Sequence, residues 1–286
     1  MEKKWTGERL ETFINSRETI EHLHRYALAS EYIKDKVVLD IACVEGYGSN
    51  LMIKKASYIY SVDIDEETMQ VAKHKYKKSN LEFLTGSTSS IPLANNSIDV
   101  VVSFETIEHH DEHDEMVKEI KRVLKPNGLL IISTPDKLYA SDSNEHHNEF
   151  HIKELYKHEF KDLISKNFDN VQLISQTYFS GSSLIDNESD KDQLQIYSGN
   201  FFEIESHTIN PLYLIAIASD DNFLLQNKSI FEGSKILNIH IENQIKSIYN
   251  SNSYRLGNYI LLPLKFIKKL MGLFLYNRFL SKDFIN

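Results

Sequence analysis

Twelve histidines in 286 residues fall unevenly along this chain. His109, His110 and His113 form one dense group, and His146, His147 and His151 form another. An imidazole with its unperturbed pKa of about 6.5 takes a proton from an alcohol near neutral pH, so such groups are candidates for general-base work. His109, His110 and His146 are the catalytic candidates, while His113 and His147 read as ordinary surface polarity. Joining these histidines to Asp111, Asp114 or Glu145 as metal ligands meets no fixed ligand spacing, so no metal site is expected. A second constellation is the turn Asp40, Ile41, Ala42, Cys43, Val44, Glu45, Gly46, Tyr47, Gly48, whose small residues let backbone approach a ligand. Asp63 ends another apolar run, Ser61-Val62-Asp63. A solvent-facing carboxylate there can accept hydrogen bonds from both ribose hydroxyls of a nucleoside while contributing little to the core. Asp65, just before Glu66 and Glu67, suits helix capping instead. The dinucleotide fingerprint G-x-G-x-x-G is absent, because Gly46 and Gly48 have no third glycine at the required offset.

These residues need elements to hold them. Val37–Ala42, Tyr58–Val62, Leu81–Leu84, Ile98–Ser103 and Leu129–Ser133 are short apolar runs of the kind buried on both faces of a sheet. Helical patterns at Glu66–Tyr76 and Asp114–Leu124 lie between them, the second ended by the turn chemistry of Lys125, Pro126, Asn127 and Gly128. Strands alternating with helices mean a parallel, doubly wound sheet. Both histidine groups then follow strand ends, where such sheets bind their ligands. Glu18–Tyr32 predicts an amphipathic helix ahead of the sheet. Beyond Pro135, Ile152–Ile164 reads as a helix, and Val171–Thr177 and Pro211–Ser219 read as strands. Tyr178–Asn210 is too long for an ordinary connection and reads as an insertion that shapes a binding site.

Composition excludes several function classes. A net charge of -9 and a pI near 5.7 leave no general basic face for nucleic acid. Cys43 is alone, so no intramolecular disulfide can form and a reducing cytosol is expected. The start, Met1–Arg9, has no apolar run of the signal type, and no stretch reaches the ~18 to 20 apolar residues of a spanning helix. The expectation is a cytoplasmic protein, soluble or peripheral at the inner face of the membrane. The tail mixes Leu264, Phe266, Ile267, Leu270 and Phe274 with Lys265, Lys268, Lys269 and Arg278. It suits either an amphipathic helix on an anionic membrane or packing against the domain or a second subunit, and the packing or homodimer reading is preferred.

Taken in order, these segments resemble class I S-adenosylmethionine-dependent methyltransferases. Asp40–Gly46 looks like their first motif and Asp63 like their ribose-binding acid. Leu84-Thr85-Gly86-Ser87 resembles the adenine loop, Asn96–Val101 with Ser103–His109 the fourth strand and its loop, and Leu124–Leu130 the approach to the fifth. Trp5–Arg9 and Glu21–Tyr26 look like a subgroup associated with bacterial surface-polysaccharide assembly. The resemblance implies an α/β, Rossmann-like doubly wound sheet of about seven strands, the last antiparallel, with helices on both faces, an insertion and a C-terminal extension. It divides the chain into an N-terminal cap helix region (1–35), a methyltransferase domain (36–219, insertion 178–210) and an extension (220–286). It implies S-adenosyl-L-methionine as cofactor and S-adenosyl-L-homocysteine as product. The implied cofactor set is Tyr26, Asp40, Ala42, Val44, Glu45, Gly46, Asp63, Ile64, Gly86, Ser87, Thr88 and Phe104. On helix 18–32, His24, Arg25 or Tyr26 would reach the cofactor's carboxylate or sulfonium end, and Glu45 would face its amino group. The implied reaction is O-methylation of a sugar in a bacterial surface glycan or its precursor. Alternatives are another small-molecule or lipid acceptor, or a non-catalytic scaffold of the same fold. Val44 stands where the family usually has glycine. A β-branched residue at positive φ costs roughly 1 to 2 kcal/mol, so the turn is expected either to keep ordinary dihedrals or to bind cofactor more weakly.

Overall fold

The structure, a computed structural model, describes residues 10, 12–144, 148–186, 195–207 and 209–263. Helix α1 (Arg17–Ala29) opens at Ser16, whose N–H donates to Thr19 Oγ1 at 3.2 Å. Then follow β1 (Val37–Ile41), α2 (Tyr47–Met52), β2 (Tyr58–Asp63), α3 (Glu66–Lys75), β3 (Leu81–Thr85), β4 (Ile98–Phe104), α4 (His113–Val123) and β5 (Leu124–Pro135). Asp65 caps α3 as expected, accepting from Thr68 N at 3.1 Å. After β5 come α5 (Lys137–Ala140), α6 (Lys157–Ser165), β6 (Asn170–Phe179), β7 (Ser182–Asp186), β8 (Ile196–Gly199), β9 (Ile204–His207), β10 (Tyr213–Ser219), β11 (Ser229–Glu232) and α7 (Ser234–Asn250).

Among the described residues nine strands form one sheet in the order β11-β7-β6-β10-β5-β4-β1-β2-β3, and β8 and β9 pair separately. Strands β3, β2, β1, β4 and β5 are parallel, and β10 runs antiparallel between β5 and β6. This is the expected Rossmann-like mixed sheet. Strand order reverses between β1 and β4, which opens a crevice at their carboxyl ends. Alternation along the strands fills two cores: Val38, Val100 and Val102 join Met52, Met69 and Phe83, while Leu39, Ile41 and Val101 join Met116, Ile120 and Phe160.

Three expectations are corrected. Lys125–Gly128 does not separate helix from strand. Leu124 already pairs with Ile98, and the next partners are Leu129 and Val100, so those four residues loop out of a continuing ladder. The helix expected from Ile152 starts only at Lys157. Ile152 and Lys153 instead donate to the Glu108 carbonyl at 2.8 and 3.1 Å, and Leu155 bridges to Asp136. The sheet exceeds the seven strands expected: β7, inside the insertion 178–210, pairs with β6, and β11, from the segment after Ser219, pairs with β7.

Residues through Ile236 form one compact unit and those from Leu237 a second, so Asp220–Ile236, grouped by sequence with the tail, completes the first. In the second, the helix continues to Asn250 and another covers 252–263, with Ile241, Ile245 and Ile248 exposed. Among the described residues no helix is long and apolar enough to cross a membrane. His146, His147, Trp5–Arg9 and the apolar, basic segment from Leu264 lie outside the described residues.

Candidate active site

The turn after β1 is held in three left-handed steps, with φ of 59° at Ala42, 47° at Val44 and 78° at Gly46. Val44 therefore does not keep ordinary dihedrals. Backbone bonds over-determine it: Ala42 N and Cys43 N donate to the Val62 carbonyl at 2.7 and 3.2 Å, and Val44 N donates to Asp63 Oδ2 at 2.9 Å. Asp40 lies beneath the turn, 2% exposed. Ser49 Oγ donates to its Oδ2 at 2.5 Å, and Ser61 Oγ donates to Ser49 Oγ at 2.7 Å. Burial pushes the Asp40 carboxyl up to about 7 against the pull of the Ser49 hydrogen bond, with the Asp63 charge adding to the rise. Asp40 thus supports the turn from within.

Asp63 corrects another expectation. The residue is 5% exposed, and its two carboxylate oxygens accept from Val44 N and, at 3.0 Å, from Asp65 N. It ties the first turn to the start of α3, so it belongs to the fold as well as to the rim. Next to it Ile64 is 72% exposed. Gly86 N donates to the Asp63 carbonyl at 3.0 Å, and a Cβ at Gly86 would lie 2.5 Å from Pro92 Cδ, which explains the glycine. Ser87 and Thr88 follow, partly exposed. On the α1 side, Tyr26 packs edge-on against Tyr47 and Phe104, at 5.6 and 5.2 Å between ring centroids. A Cβ on Gly48 would sit 2.0 Å from the Tyr26 ring, so that glycine is fixed by close approach. The structure therefore gathers Tyr26, Ala42, Val44, Gly46, Asp63, Ile64, Gly86, Ser87, Thr88 and Phe104 at the carboxyl ends of β1 to β4.

Two candidates are placed elsewhere. Glu45 is engaged by Lys75 Nζ and by Thr12 N, the latter at 2.9 Å, so it fastens the N-terminal segment to α3 and is not left for a ligand's amino group. His24 lies between Ser183 and Ser229, at 2.9 and 3.0 Å, on the β7 and β11 side, and burial beside Arg25 lowers its pKa to about 4. Arg25 reaches Glu105 at the start of the loop after β4, as well as β6 and β10. Fully buried, it donates to Gln176 Oε1 at 2.8 Å, lies 3.5 Å from Glu105 and sits over the Tyr213 ring, yet its Nε and Nη2 have no partner.

The loop after β4 makes the second half of the site. Ser133 Oγ donates to Glu105 Oε1 at 2.6 Å, and Thr134 Oγ1 donates to Glu108 Oε2 at 3.3 Å. Glu108 is 1% exposed; burial, reinforced by the Glu105 charge, drives its carboxyl well above the usual range. His109 holds Nδ1 3.0 Å from the Phe150 carbonyl, and its ring meets that of His151 edge-on at 5.2 Å. His110 turns away from this group, with Nε2 3.2 Å from Met116 Sδ and 3.4 Å from Thr88 Oγ1, and burial lowers its pKa. It links the Gly86–Thr88 loop to α4 and does not share the His109 position. His113 is buried, not surface polarity, with Nε2 2.7 Å from the His110 carbonyl. The sequence marked Glu105 and Glu108 only as part of the loop after the fourth strand and left His151 out of the catalytic candidates; residues 150–153, bonded to Glu108 and His109, form a strap beside that loop. For Glu105, Glu108 and His151 the only signal was their place beside His109 and within the second histidine group. Near the strap, Asp136, Tyr139, Tyr156, His158 and Pro211 line a cleft of about 250 Å³, with the Tyr156 and His158 rings stacked at 12°.

Known proteins fit this geometry. Residues 39–132 match the family model described as a methyltransferase domain. The chain is 34% identical over 128 residues to a Mycolicibacterium smegmatis protein described as a probable S-adenosylmethionine-dependent methyltransferase, covering 44% of this chain and 49% of that one. It is 30% identical over 110 residues to a ubiquinone biosynthesis O-methyltransferase of Pelagibacter ubique, covering 38% and 46%. The chain thus spans about half the length of the curated relatives it matches. An S-adenosylmethionine-dependent methyltransferase structure from Thermotoga maritima superposes with a TM-score of 0.51 at 15% identity, covering 72% of this chain and 91% of that one. Residues 39–132 are thus similar to a methyltransferase domain and the sheet has the fold of such proteins, and the methyl donor that the relatives' names print is S-adenosylmethionine.

The residues present suit that group. Each Asp63 oxygen accepts one bond and retains capacity for a ribose hydroxyl, exposed Ile64 offers an apolar face for a base, and Arg25 has unpartnered donors for a carboxylate.

Proposed function

We propose that this chain transfers the methyl group of S-adenosylmethionine to a hydroxyl of a sugar in a bacterial surface glycan or its activated precursor, releasing S-adenosylhomocysteine. The observation that carries the methyl-transfer reading is the meeting of two halves at the β1/β4 reversal: a nucleoside-type rim (Val44, Asp63, Ile64, Gly86–Thr88) and a Glu-His loop after β4. The cofactor bound there would supply a methyl on a sulfonium to an attacking acceptor oxygen. Asp63 would hold the ribose, Ile64 and Ser87 would flank the base, and Tyr26 and Phe104 would wall the methionine end. His109 governs the acceptor's proton. With Nδ1 held toward the Phe150 carbonyl, its proton-accepting nitrogen is Nε2. Stacked Tyr156 and His158 beside a cleft of single-sugar size support the glycan acceptor. The names of relatives favour a second reading, a quinone or lipid acceptor. We place the protein in the cytosol, free or at the inner face of the membrane, with the C-terminal extension as a surface for a second subunit or for lipid.

Calorimetric titration with S-adenosylmethionine and S-adenosylhomocysteine tests the cofactor site. Micromolar binding is expected despite left-handed Val44, and no binding at millimolar ligand would leave only a scaffold role. Labelled donor offered with sugar nucleotides and glycans, and separately with quinone and lipid acceptors, tests the acceptor. Transfer to the latter alone overturns the glycan reading.

A further inference from the structure

Glu108, His109 and His151 each bring one ligand atom to within 4.8 Å of the others. The two segments are joined by the N–H groups of Ile152 and Lys153, which donate to the Glu108 carbonyl, and by His109 Nδ1 at the Phe150 carbonyl. The surrounding contacts have the form a metal site needs. His109 Nδ1 lies 3.0 Å from the Phe150 carbonyl and His151 Nδ1 lies 2.5 Å from Glu154 Oε1. A metal-ligating histidine typically donates its other ring N–H to a carbonyl or carboxylate, which fixes the tautomer and aims Nε2. Glu108 adds an independent sign: its side chain is buried, yet Oε1 has no hydrogen-bond partner. A buried carboxyl oxygen without a partner is costly whether the group is neutral or charged, and a cation would answer it.

We propose that Glu108, His109 and His151 bind one divalent first-row transition-metal ion, leaving open positions toward the acceptor. Two imidazoles with one carboxylate suit Zn²⁺, Mn²⁺, Fe²⁺ or Co²⁺ better than Mg²⁺ or Ca²⁺, which favour oxygen sets. The ion displaces the Asn148 amide, now 3.0 Å from His151 Nε2. Its role rests on the methyl-transfer reading, although the site does not. An acceptor hydroxyl bound to the ion loses its proton to solvent more readily. The oxygen then forms the C–O bond as the S–C bond breaks and the electron pair passes to sulfur. With the ion bound, His109 acts as a ligand through Nε2 and the proton leaves to solvent, a role that replaces direct proton uptake by that nitrogen.

The test uses the full chain, stripped with a chelator and titrated with Co²⁺ and Mn²⁺ in the absence of S-adenosylmethionine. One ion per chain is expected, with visible Co²⁺ bands that report imidazole ligation. Affinity should fall at least tenfold in His151→Ala and in Glu108→Gln, and stay unchanged in His74→Ala, a change on the exposed face of α3. Absence of binding, or affinity unaltered in both ligand variants, overturns the site. Should Glu108→Gln fail to fold, His151→Ala and the Co²⁺ spectrum decide. Methyl transfer undiminished in stripped protein overturns the catalytic role. Cofactor binding without metal binding refutes this inference alone and leaves the methyl-transfer reading intact.

Discussion

Removing the Asp63 carboxylate should damage the fold and the cofactor site together, by amounts that can be separated. Asp63→Ala strips the acceptor from two part-buried backbone donors, Val44 N at 2.9 Å and Asp65 N at 3.0 Å. Each orphaned donor costs about 1 to 3 kcal/mol, and water reaching the turn recovers part of that, so the expected loss of stability is about 2 to 3 kcal/mol. For a unit of this size that lowers Tm by roughly 4 to 12 °C. The same change removes two ribose hydrogen bonds, at least one charge-assisted, worth about 2 to 4 kcal/mol, or roughly 30- to 1,000-fold in Kd. Asp63→Asn keeps one acceptor oxygen, so about half the stability loss is expected while most of the affinity loss persists. Urea unfolding at constant m-value reads the first quantity, and calorimetric titration with S-adenosylhomocysteine, below the unfolding range, reads the second. Parental stability in Asp63→Ala would refute the tie between β2 and the first turn. Lost stability with an unchanged Kd would refute the ribose assignment.

Asp40 gives a pH signature. Its folded pKa is raised to about 7, so the proton it holds stabilises the fold fully below about pH 4, and that contribution disappears as pH rises through 7. Asp40→Asn should therefore gain on the parent between pH 5 and 8, by up to about 4 kcal/mol, in parallel urea titrations; superimposable profiles would show Asp40 ionised without penalty. Val44→Gly relieves about 1 to 2 kcal/mol of left-handed strain and loses about 0.4 to 1 kcal/mol to unfolded-state entropy. A Tm rise of up to roughly 6 °C and tighter cofactor binding are expected in thermal melts and titrations, and a fall in Tm would show that the turn suits valine. His109→Gln should lower turnover about a hundredfold or more with little change in cofactor Kd, measured with labelled donor. Near-normal turnover in that variant would remove His109 from the reaction.

Local pattern settled the frame of this protein. Apolar runs such as Val37–Ile41 and Ile98–Phe104 are buried on both faces, so they carry their strand signal in their own residues. Asp65 capping α3 and the small-residue turn at Asp40–Gly46 follow equally from neighbours in sequence. From these the Rossmann-like sheet and the residues at its rim were legible. What tertiary structure decided is which way side chains point and which distant segments meet. Glu45 turned to Lys75 because α3 packs beside the turn, and Asp63 sank beneath Val44 N because the backbone there is left-handed. His109 met His151, and not His110, because Ile152 and Lys153 give their N–H groups to the Glu108 carbonyl instead of starting a helix. That choice balances helix propensity at 152–156 against hydrogen bonds to a loop more than forty residues away. Propensity is local and the bonds are not, so only the folded chain resolves it.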